Sequence, residues 1–442
     1  MNKLSRILIQ NATIIPMTSK EDIFQGHIYI EDGKIVRLYN KREREEVSFP
    51  LEMTDLEIID GQDKVVIPGL VNAHTHAAMT LFRGYADDLP LMEWLNDAIW
   101  PAEKKLTDEH VYWGTMLAIA EMLKGGITVF ADMYFFMDQV AKAVSDSGIR
   151  GHLSRGMIGF GPTSEKALVE SEEFYRKWHE GADGRIRVWL GPHAPYTCPP
   201  DYLQKVMALA DRLGTGLHIH LAETKKEVED IQKEHGLRPI ELMNKIGLFE
   251  RPVLAAHCVH LTEEEENILV EKKVGIAHNP ESNMKLASGI APIESLRQKK
   301  AIVGLGTDGA ASNNNLDLIE EMRQATFLQK VNLLDPTALP AYDTLAMATI
   351  GGAKALGWDH EIGTLEVGKK ADLAVIDMKQ PHLYPVHDPV AHLVYSAKGS
   401  DVHTVIVDGK VLVRAGKLTT MNEEQIMTEA QKAAVVLTSK EG

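Results

Sequence analysis

The sequence predicts an α/β chain: a (β/α)8 barrel with a small β-sandwich domain formed by both termini. Three observations lead there. Eight short apolar runs recur between residues 66 and 310, separated by helix-like segments. Such alternation implies right-handed parallel crossovers, and eight units in about 250 residues is the size of a closed barrel. The first 65 residues and those from 366 onward have β-hairpin texture that the middle lacks. A doubly wound open sheet is the structural alternative. No G-x-G-x-x-G follows the first predicted barrel strand, which disfavours its dinucleotide-binding form.

Taken in order, "ILIQNATIIPM" (7–17), "GHIYIEDGKIVRLYN" (26–40) and "LEIIDGQDKVVIPG" (56–69) read as strands, with "EDGK" as a hairpin turn. "NKREREEVSFPLEMTD" (40–55) reads as a charged surface loop. The barrel runs are "LVNAHTH" (70–76), "GITVFADM" (126–133), "IRGHLSRG" (149–156) and "IRVWLGPHAP" (186–195), then "GLHIHLAE" (216–223), "PVLAAHCVH" (252–260), "KVGIAHNPE" (273–281) and "IVGLGTDGA" (302–310). Between them, "DEHVYWGTMLAIAEMLKG" (108–125) and "PPDYLQKVMALADRLG" (199–214) read as helices. "GTLEVGKKADLAVID" (363–377) and "VHTVIVDGKVLVRAG" (402–416) return to hairpin texture, and "NEEQIMTEAQKAAVVLTSK" (422–440) reads as a closing helix. The expected boundaries are 1–65 and 366–442 for the β domain and 66–365 for the barrel.

Bulk properties exclude several classes. Of 442 residues, 44% are hydrophobic and 25% charged, as in an ordinary globular protein. A net charge of −16 argues against nucleic acid or an anionic membrane as partner, since both reward basic surfaces. Two cysteines, Cys198 and Cys258, exclude a disulfide scaffold. Gln10 and Asn11 interrupt any signal-peptide core, and no apolar run reaches the length of a membrane span. A cytoplasmic chain is the expectation. Composition leaves a homo-oligomer open.

The chemistry concentrates where a barrel places its function, at the C-terminal ends of the strands. The first predicted strand ends in His74 and His76, and the fourth ends near His193. The fifth ends in His220, followed by Glu223; the sixth carries His257, and the eighth ends in Asp308. A lone H-x-H means little, because 18 histidines in 442 residues supply about 0.7 such pairs by chance. A second pair, His218 and His220, is present as well. The strand period of two puts His74 and His76 on one face, and puts His218 one layer below His220. Asp308 approaches from the neighbouring side, since the eighth strand adjoins the first. Three neutral imidazoles and one carboxylate suit Zn²⁺ or Fe²⁺. The bland alternatives are hydrogen-bonded structural histidines, Asp308 as a helix cap and Glu223 as a first-turn carboxylate favoured by the helix dipole. Coincidence at strand ends, in barrel order, favours a site.

"PGLVNAHTH", "GPHAPYTC", "HIHLAET", "AHCVH" and "LGTDGAASNN" resemble the amidohydrolase superfamily and, within it, the 5-methylthioadenosine/S-adenosylhomocysteine deaminases. The resemblance covers nearly the whole chain, including the returning "GTLEVGKKADLAVID". It implies a metal-dependent hydrolase with one divalent metal per subunit, zinc foremost and iron or another transition metal as the alternative. The implied ligands are His74, His76, His220 and Asp308. Many superfamily members bridge two metals with a carboxylated lysine on the fourth strand, and "RIRVWLGPHAPYTC" contains no lysine. That departure favours one metal and a deaminase-type reaction. The P-C-x-x-C ligands of cytidine deaminases are absent too, which leaves Cys198 and Cys258 as site-wall or core residues.

The implied reaction is hydrolytic deamination at C6 of an adenine ring in a small-molecule nucleoside. Asp308 takes a proton from the attacking water, His257 orients that water or stabilises its charge, and Glu223 protonates N1 and then the departing amine. Glu93 matches the glutamate that holds ribose hydroxyls, with Trp94 beside it packing on the ligand or in the core. His193 resembles the histidine that contacts the nucleoside. Arg155 is assigned to the homocysteine carboxylate or to a surface ion pair. The next loop, "GFGPTSEKALVE", lacks a second arginine for that carboxylate. "FRGYADDLPLMEWLNDAIWPAEKKL" (82–106) is the expected cover over the site. Three alternatives stand beside this reading: a guanine or triazine hydrolase without a ribose to hold, a binuclear amide hydrolase, and a non-catalytic binding protein on the same scaffold.

Overall fold

Eight parallel strands form the centre of the molecule, seen here in a computed structural model that describes residues 6–41, 55–89 and 93–439. Most of the charged loop expected at 40–55 lies outside those residues. Before the barrel come β1 (Arg6–Ile14), β2 (Phe24–Glu31), β3 (Lys34–Asn40), β4 (Leu56–Asp60) and β5 (Lys64–Pro68). The barrel strands are β6 (Leu70–Thr75), β7 (Ile127–Tyr134), β8 (Arg150–Met157), β9 (Ile186–Pro192), β10 (Leu217–Leu221), β11 (Val253–His257), β12 (Gly275–His278) and β13 (Ile302–Leu305). After it come β14 (Leu373–Asp377), β15 (Val402–Val407), β16 (Lys410–Arg414) and β17 (Lys417–Leu418).

The barrel strands pair in sequence order, each parallel to the next. They are buried almost throughout, as parallel strands covered by helices must be. The barrel is nearly closed. β6 meets the chain just past β13 through two hydrogen bonds: Asp308 N–H donates to the His74 carbonyl at 3.0 Å, and the Thr75 hydroxyl donates to the Asp308 carbonyl at 2.8 Å. Gly306 permits that approach, because a Cβ there would lie 2.8 Å from the His74 nitrogen and 2.9 Å from its oxygen. Val71, Ala131, Leu254 and Ala277, from four different strands, join one buried cluster with Trp358.

The termini build one mixed sheet beside the barrel. β1 pairs antiparallel with β2 and parallel with both β4 and β5, and β5 pairs antiparallel with β14. The "EDGK" turn closes the β2–β3 hairpin with Glu31 opposite Lys34. Asp32 and Gly33 both have positive φ, 50° and 78°, as a primed two-residue turn requires. Arg150 at the start of β8 donates to both oxygens of Asp372, at 2.6 and 2.9 Å, and so ties the barrel to the terminal sheet in a fully buried ion pair. The closing helix runs Glu423–Thr438, with the Asn422 side chain accepting from Gln425 N–H at its start. Among the described residues, no helix is long and apolar enough to cross a membrane.

Candidate active site

The C-terminal ends of the barrel strands converge on one polar cluster at the floor of a cavity. β6 ends at Thr75, and its pairing with β7 shifts register between Asn72 and Thr75. A shift of this kind re-aims side chains. The His74 and His76 rings come together, with centroids 4.9 Å apart. His220 at the end of β10 lies 4.8 Å from His74 by the same measure. Asp308 follows β13 and presents Oδ1 at 3.4 Å from both His74 Nε2 and His76 Nε2. One ligand atom each from His74, His76 and Asp308 falls within a 4.8 Å span, as does one each from His74, His220 and His257.

Hydrogen bonding fixes which ring nitrogens face this point. His76 Nδ1 lies 2.6 Å from the Met133 carbonyl, and His220 Nδ1 lies 2.7 Å from the His193 carbonyl. A carbonyl only accepts, so both Nδ1 atoms carry protons. Burial holds His220 well below the ordinary histidine range, so its ring is neutral and its Nε2 bare. That Nε2 sits 3.3 Å from His76 Nε2. His74, which burial pushes down to about 4, has a buried Nε2 with no hydrogen-bond partner among the described residues. Lone pairs and a carboxylate converging without donors between them fit a divalent cation. The donor set of imidazoles and one carboxylate is that of zinc or iron. β9 carries no lysine. Cys198 and Cys258 are buried, free, and packed in the apolar core.

Asp308 is fixed from behind. Its Oδ2 accepts from the Ser282 hydroxyl at 2.6 Å and the Ser312 hydroxyl at 2.9 Å. Burial alone would raise its pKa, but the neighbouring imidazoles of His74, His76 and His257 bring it well below the usual carboxylate range. His257 donates from Nδ1 to Asn283 Oδ1 at 2.9 Å, which leaves Nε2 toward Glu223 Oε2 at 3.9 Å. Burial opposes charge on His257, yet the Glu223 and Asp308 carboxylates together with Asn283 raise its pKa. Burial raises that of Glu223, with His257 partly offsetting it. The turn carrying Glu223 is held by Glu227, whose two oxygens accept from Ala222 N–H at 2.9 Å and Glu223 N–H at 2.8 Å. Ala222, His257 and Asp308 all have positive φ, at 52°, 73° and 58°. Non-glycine residues rarely adopt that conformation, and it gathers at functional sites.

A cavity of about 110 Å³ opens above this floor. His76, His193, His220, Glu223, His257 and Asp308 line it. His193 is held at Nδ1 by the Thr197 hydroxyl, 2.9 Å away, and burial lowers its pKa to about 4. The segment expected as a cover contributes Trp94, Leu95, Ile99, Trp100 and Glu103 to the lining. It runs as π-helical turns over Trp94–Ile99 and then a short α-helix, Trp100–Glu103.

Two assigned residues stand elsewhere. Glu93 is exposed at the head of that segment and is not among the lining residues. Glu103, which sequence reasoning passed over, does line the cavity. It accepts from the Tyr134 hydroxyl at 2.6 Å, and burial raises its pKa to about 7. Arg155 at the end of β8 is also outside the lining. It pairs with Glu170 and donates to the carbonyl of Gly156, which is a lining residue. Sequence reasoning also missed Ser282, Ser312, Asn283 and Glu227. Only Glu227 had a signal, the T-x-x-E capping pattern that begins at Thr224.

Known proteins resemble the chain along its whole length. The amidohydrolase family model matches residues 65–412. A 5-methylthioadenosine/S-adenosylhomocysteine deaminase from Pelotomaculum thermopropionicum is 54% identical over 439 residues, covering 99% of this chain and 100% of that protein. Among solved structures, an adenosine deaminase from Xanthomonas campestris with bound zinc superposes with a TM-score of 0.92 at 36% identity, covering 98% of each chain. A triazine hydrolase variant superposes with a TM-score of 0.88 at 25% identity, covering 97% of this chain and 99% of the other. With the barrel, the strand-end histidines and aspartate, and a family match spanning most of its residues, the chain belongs to the amidohydrolase family.

Proposed function

We propose that the chain is a zinc-dependent hydrolase that deaminates adenosine-type nucleosides, 5-methylthioadenosine and S-adenosylhomocysteine foremost, giving the inosine analogues and ammonia. One observation carries the reading: a buried carboxyl with a raised pKa, Glu223, shares one cavity with a histidine–aspartate cluster and with a second carboxyl, Glu103. The names of the relatives support the substrate class. A single divalent ion held by His74, His76, His220 and Asp308 would supply hydroxide near neutral pH.

The residues then divide the work. Glu223 delivers its proton to N1 of the purine, which withdraws electrons from C6 and opens it to attack. Asp308 accepts the proton released as the water oxygen bonds to C6. The Ser282 and Ser312 hydroxyls hold the carboxylate in place meanwhile. His257, its Nδ1 anchored on Asn283, stabilises charge on the entering oxygen. Glu223 then takes the hydroxyl proton at C6 and passes it to the amino group, which leaves as ammonia as the C6–N bond breaks and the C6 carbonyl forms. The proton on Asp308 returns to Glu223 through solvent, so one water is consumed for each ammonia released. Proton transfers of this kind contribute about 10²–10⁴-fold each.

Ribose recognition is assigned to Glu103 rather than Glu93, because Glu103 lines the cavity and a carboxylate accepts two hydroxyl hydrogen bonds. His193 contacts the nucleoside. Arg155 is assigned to the homocysteine carboxylate. Its pair with Glu170 is partly exposed, and such pairs are worth about 0–1 kcal/mol, so a substrate carboxylate can displace it. A guanine or triazine hydrolase has no ribose for Glu103 to hold. The test is metal analysis with ammonia release across a panel of adenosine derivatives, guanine and triazines. Zinc-dependent release from the adenosine derivatives alone is expected, and zinc-loaded protein inactive on all of them would overturn the substrate class.

A further inference from the structure

We propose that His218 is a positioning residue for the metal centre: its Nε2 accepts the Nδ1 proton of His74 and thereby commits His74 Nε2 to the ion. The inference rests on the ligand set given above.

The two nitrogens are 2.8 Å apart, and the rings meet edge to face at 81° with centroids 5.0 Å apart. Both residues are fully buried. The reason for a side chain here lies in the barrel geometry. The other two imidazole ligands send their Nδ1 protons to backbone carbonyls, His76 to Met133 and His220 to His193. Each of those carbonyls lies on the adjacent strand or just past its end: Met133 on β7 beside β6, and His193 one residue after β9 beside β10. His74 instead points its Nδ1 across the barrel. β6 and β10 are the first and fifth of eight strands, so they face each other across the axis, where no backbone runs. Only a long side chain from the opposite strand can meet that N–H. Period two along β10 puts His218 on the same face as His220 and one layer deeper, the level from which it reaches His74.

The direction of this hydrogen bond decides whether His74 can be a ligand. With the proton on His74 Nδ1, its Nε2 lone pair is free for the ion, and His218 must carry its own proton on Nδ1. With the proton on His218 Nε2, His74 would be protonated at Nε2 and lost as a ligand. Partners beyond the ligands orient metal-bound histidines and typically change metal affinity 10–100-fold when removed. The second H-x-H pair thus supplies one ligand and the acceptor that holds another.

The experiment measures zinc affinity of the full-length protein, stripped of metal, by competition with a chromophoric chelator. His218→Phe keeps an aromatic ring of similar size and removes the acceptor. His218→Gln restores an acceptor near the Nε2 position. We expect zinc binding to weaken by about 10–100-fold in the phenylalanine variant and to recover most of that loss in the glutamine variant. A phenylalanine variant that holds zinc as tightly as wild type overturns the inference, as does a glutamine variant that loses as much as phenylalanine. Wild type that takes up no zinc would instead overturn the metal reading itself. Histidine-selective ¹⁵N spectra of the zinc-loaded wild type provide a second readout that needs no folded phenylalanine variant, with the His218 signals assigned through their loss in His218→Gln. Protonation of His218 at Nδ1 is expected, and protonation at Nε2 overturns the proposal.

Discussion

The backbone N–H of Asp308 donates to the carbonyl of His74 at 3.0 Å, so the last and first strands of the barrel are joined at the residues proposed to share one metal ion. The Asp308 side chain is then fixed by Ser282 and Ser312, which both donate to Oδ2 and leave Oδ1 toward the histidines. Removing the fully buried Ser282 hydroxyl frees the carboxylate to rotate. Ser282→Ala is expected to weaken zinc binding by about 10–100-fold. Equilibrium dialysis checks this, and unchanged affinity would show that Asp308 needs no such support.

Glu223 separates chemistry from metal binding. Glu223→Gln keeps the shape of the side chain and removes the transferable proton. Expected is full zinc occupancy with kcat lowered by about 10²–10⁴-fold. Steady-state kinetics beside metal analysis decide the matter. A kcat within a few-fold of wild type would remove Glu223 from the mechanism.

The pH dependence of substrate recognition follows from Glu103, whose pKa burial raises to about 7. Below that pH its carboxyl is protonated and loses part of its capacity to accept from two hydroxyls; above it the carboxylate is restored. Between pH 8 and pH 6 the KM for 5-methylthioadenosine should rise roughly tenfold relative to that of its 2′,3′-dideoxy analogue, as expected for titration of one group. The ratio cancels titrations common to both substrates. A flat ratio, or one unchanged by Glu103→Gln, would remove Glu103 from ribose binding.

The contrast between Glu93 and Glu103 shows where the sequence stops being legible. Eight apolar runs marked the barrel strands because buried parallel strands read as uninterrupted apolar sequence, whatever lies around them. His74, His220 and Asp308 were legible because strand order alone brings their ends together. The cover over the site is different. Its π-helical turns at Trp94–Ile99 follow neither the helical nor the strand period, so no periodicity indicates which carboxylate faces inward. Ser282 and Ser312 left no trace because serines whose hydroxyls hold Asp308 look like any other serine in the sequence, here in two short helices. The left-handed residues Ala222, His257 and Asp308 also carry no sequence mark, since glycine, the usual sign of positive φ, is absent from all three positions.

Arg155 tests discrimination between the two principal substrates. Its guanidinium rests on Glu170 beside the cavity wall at Gly156. A hydrogen-bonded charge is worth about 1.5–3 kcal/mol. Arg155→Ala should therefore raise KM for S-adenosylhomocysteine by roughly 10–100-fold and leave that for 5-methylthioadenosine little changed. Equal effects on both substrates would place Arg155 in a purely structural pair with Glu170.

The most direct test of the account is turnover of 5-methylthioadenosine by the zinc-loaded protein in water enriched in oxygen-18. The account predicts one ammonia released per nucleoside consumed and one heavy oxygen at C6 of the inosine product. Free adenine in place of the inosine analogue, or no turnover by fully loaded protein, would contradict it.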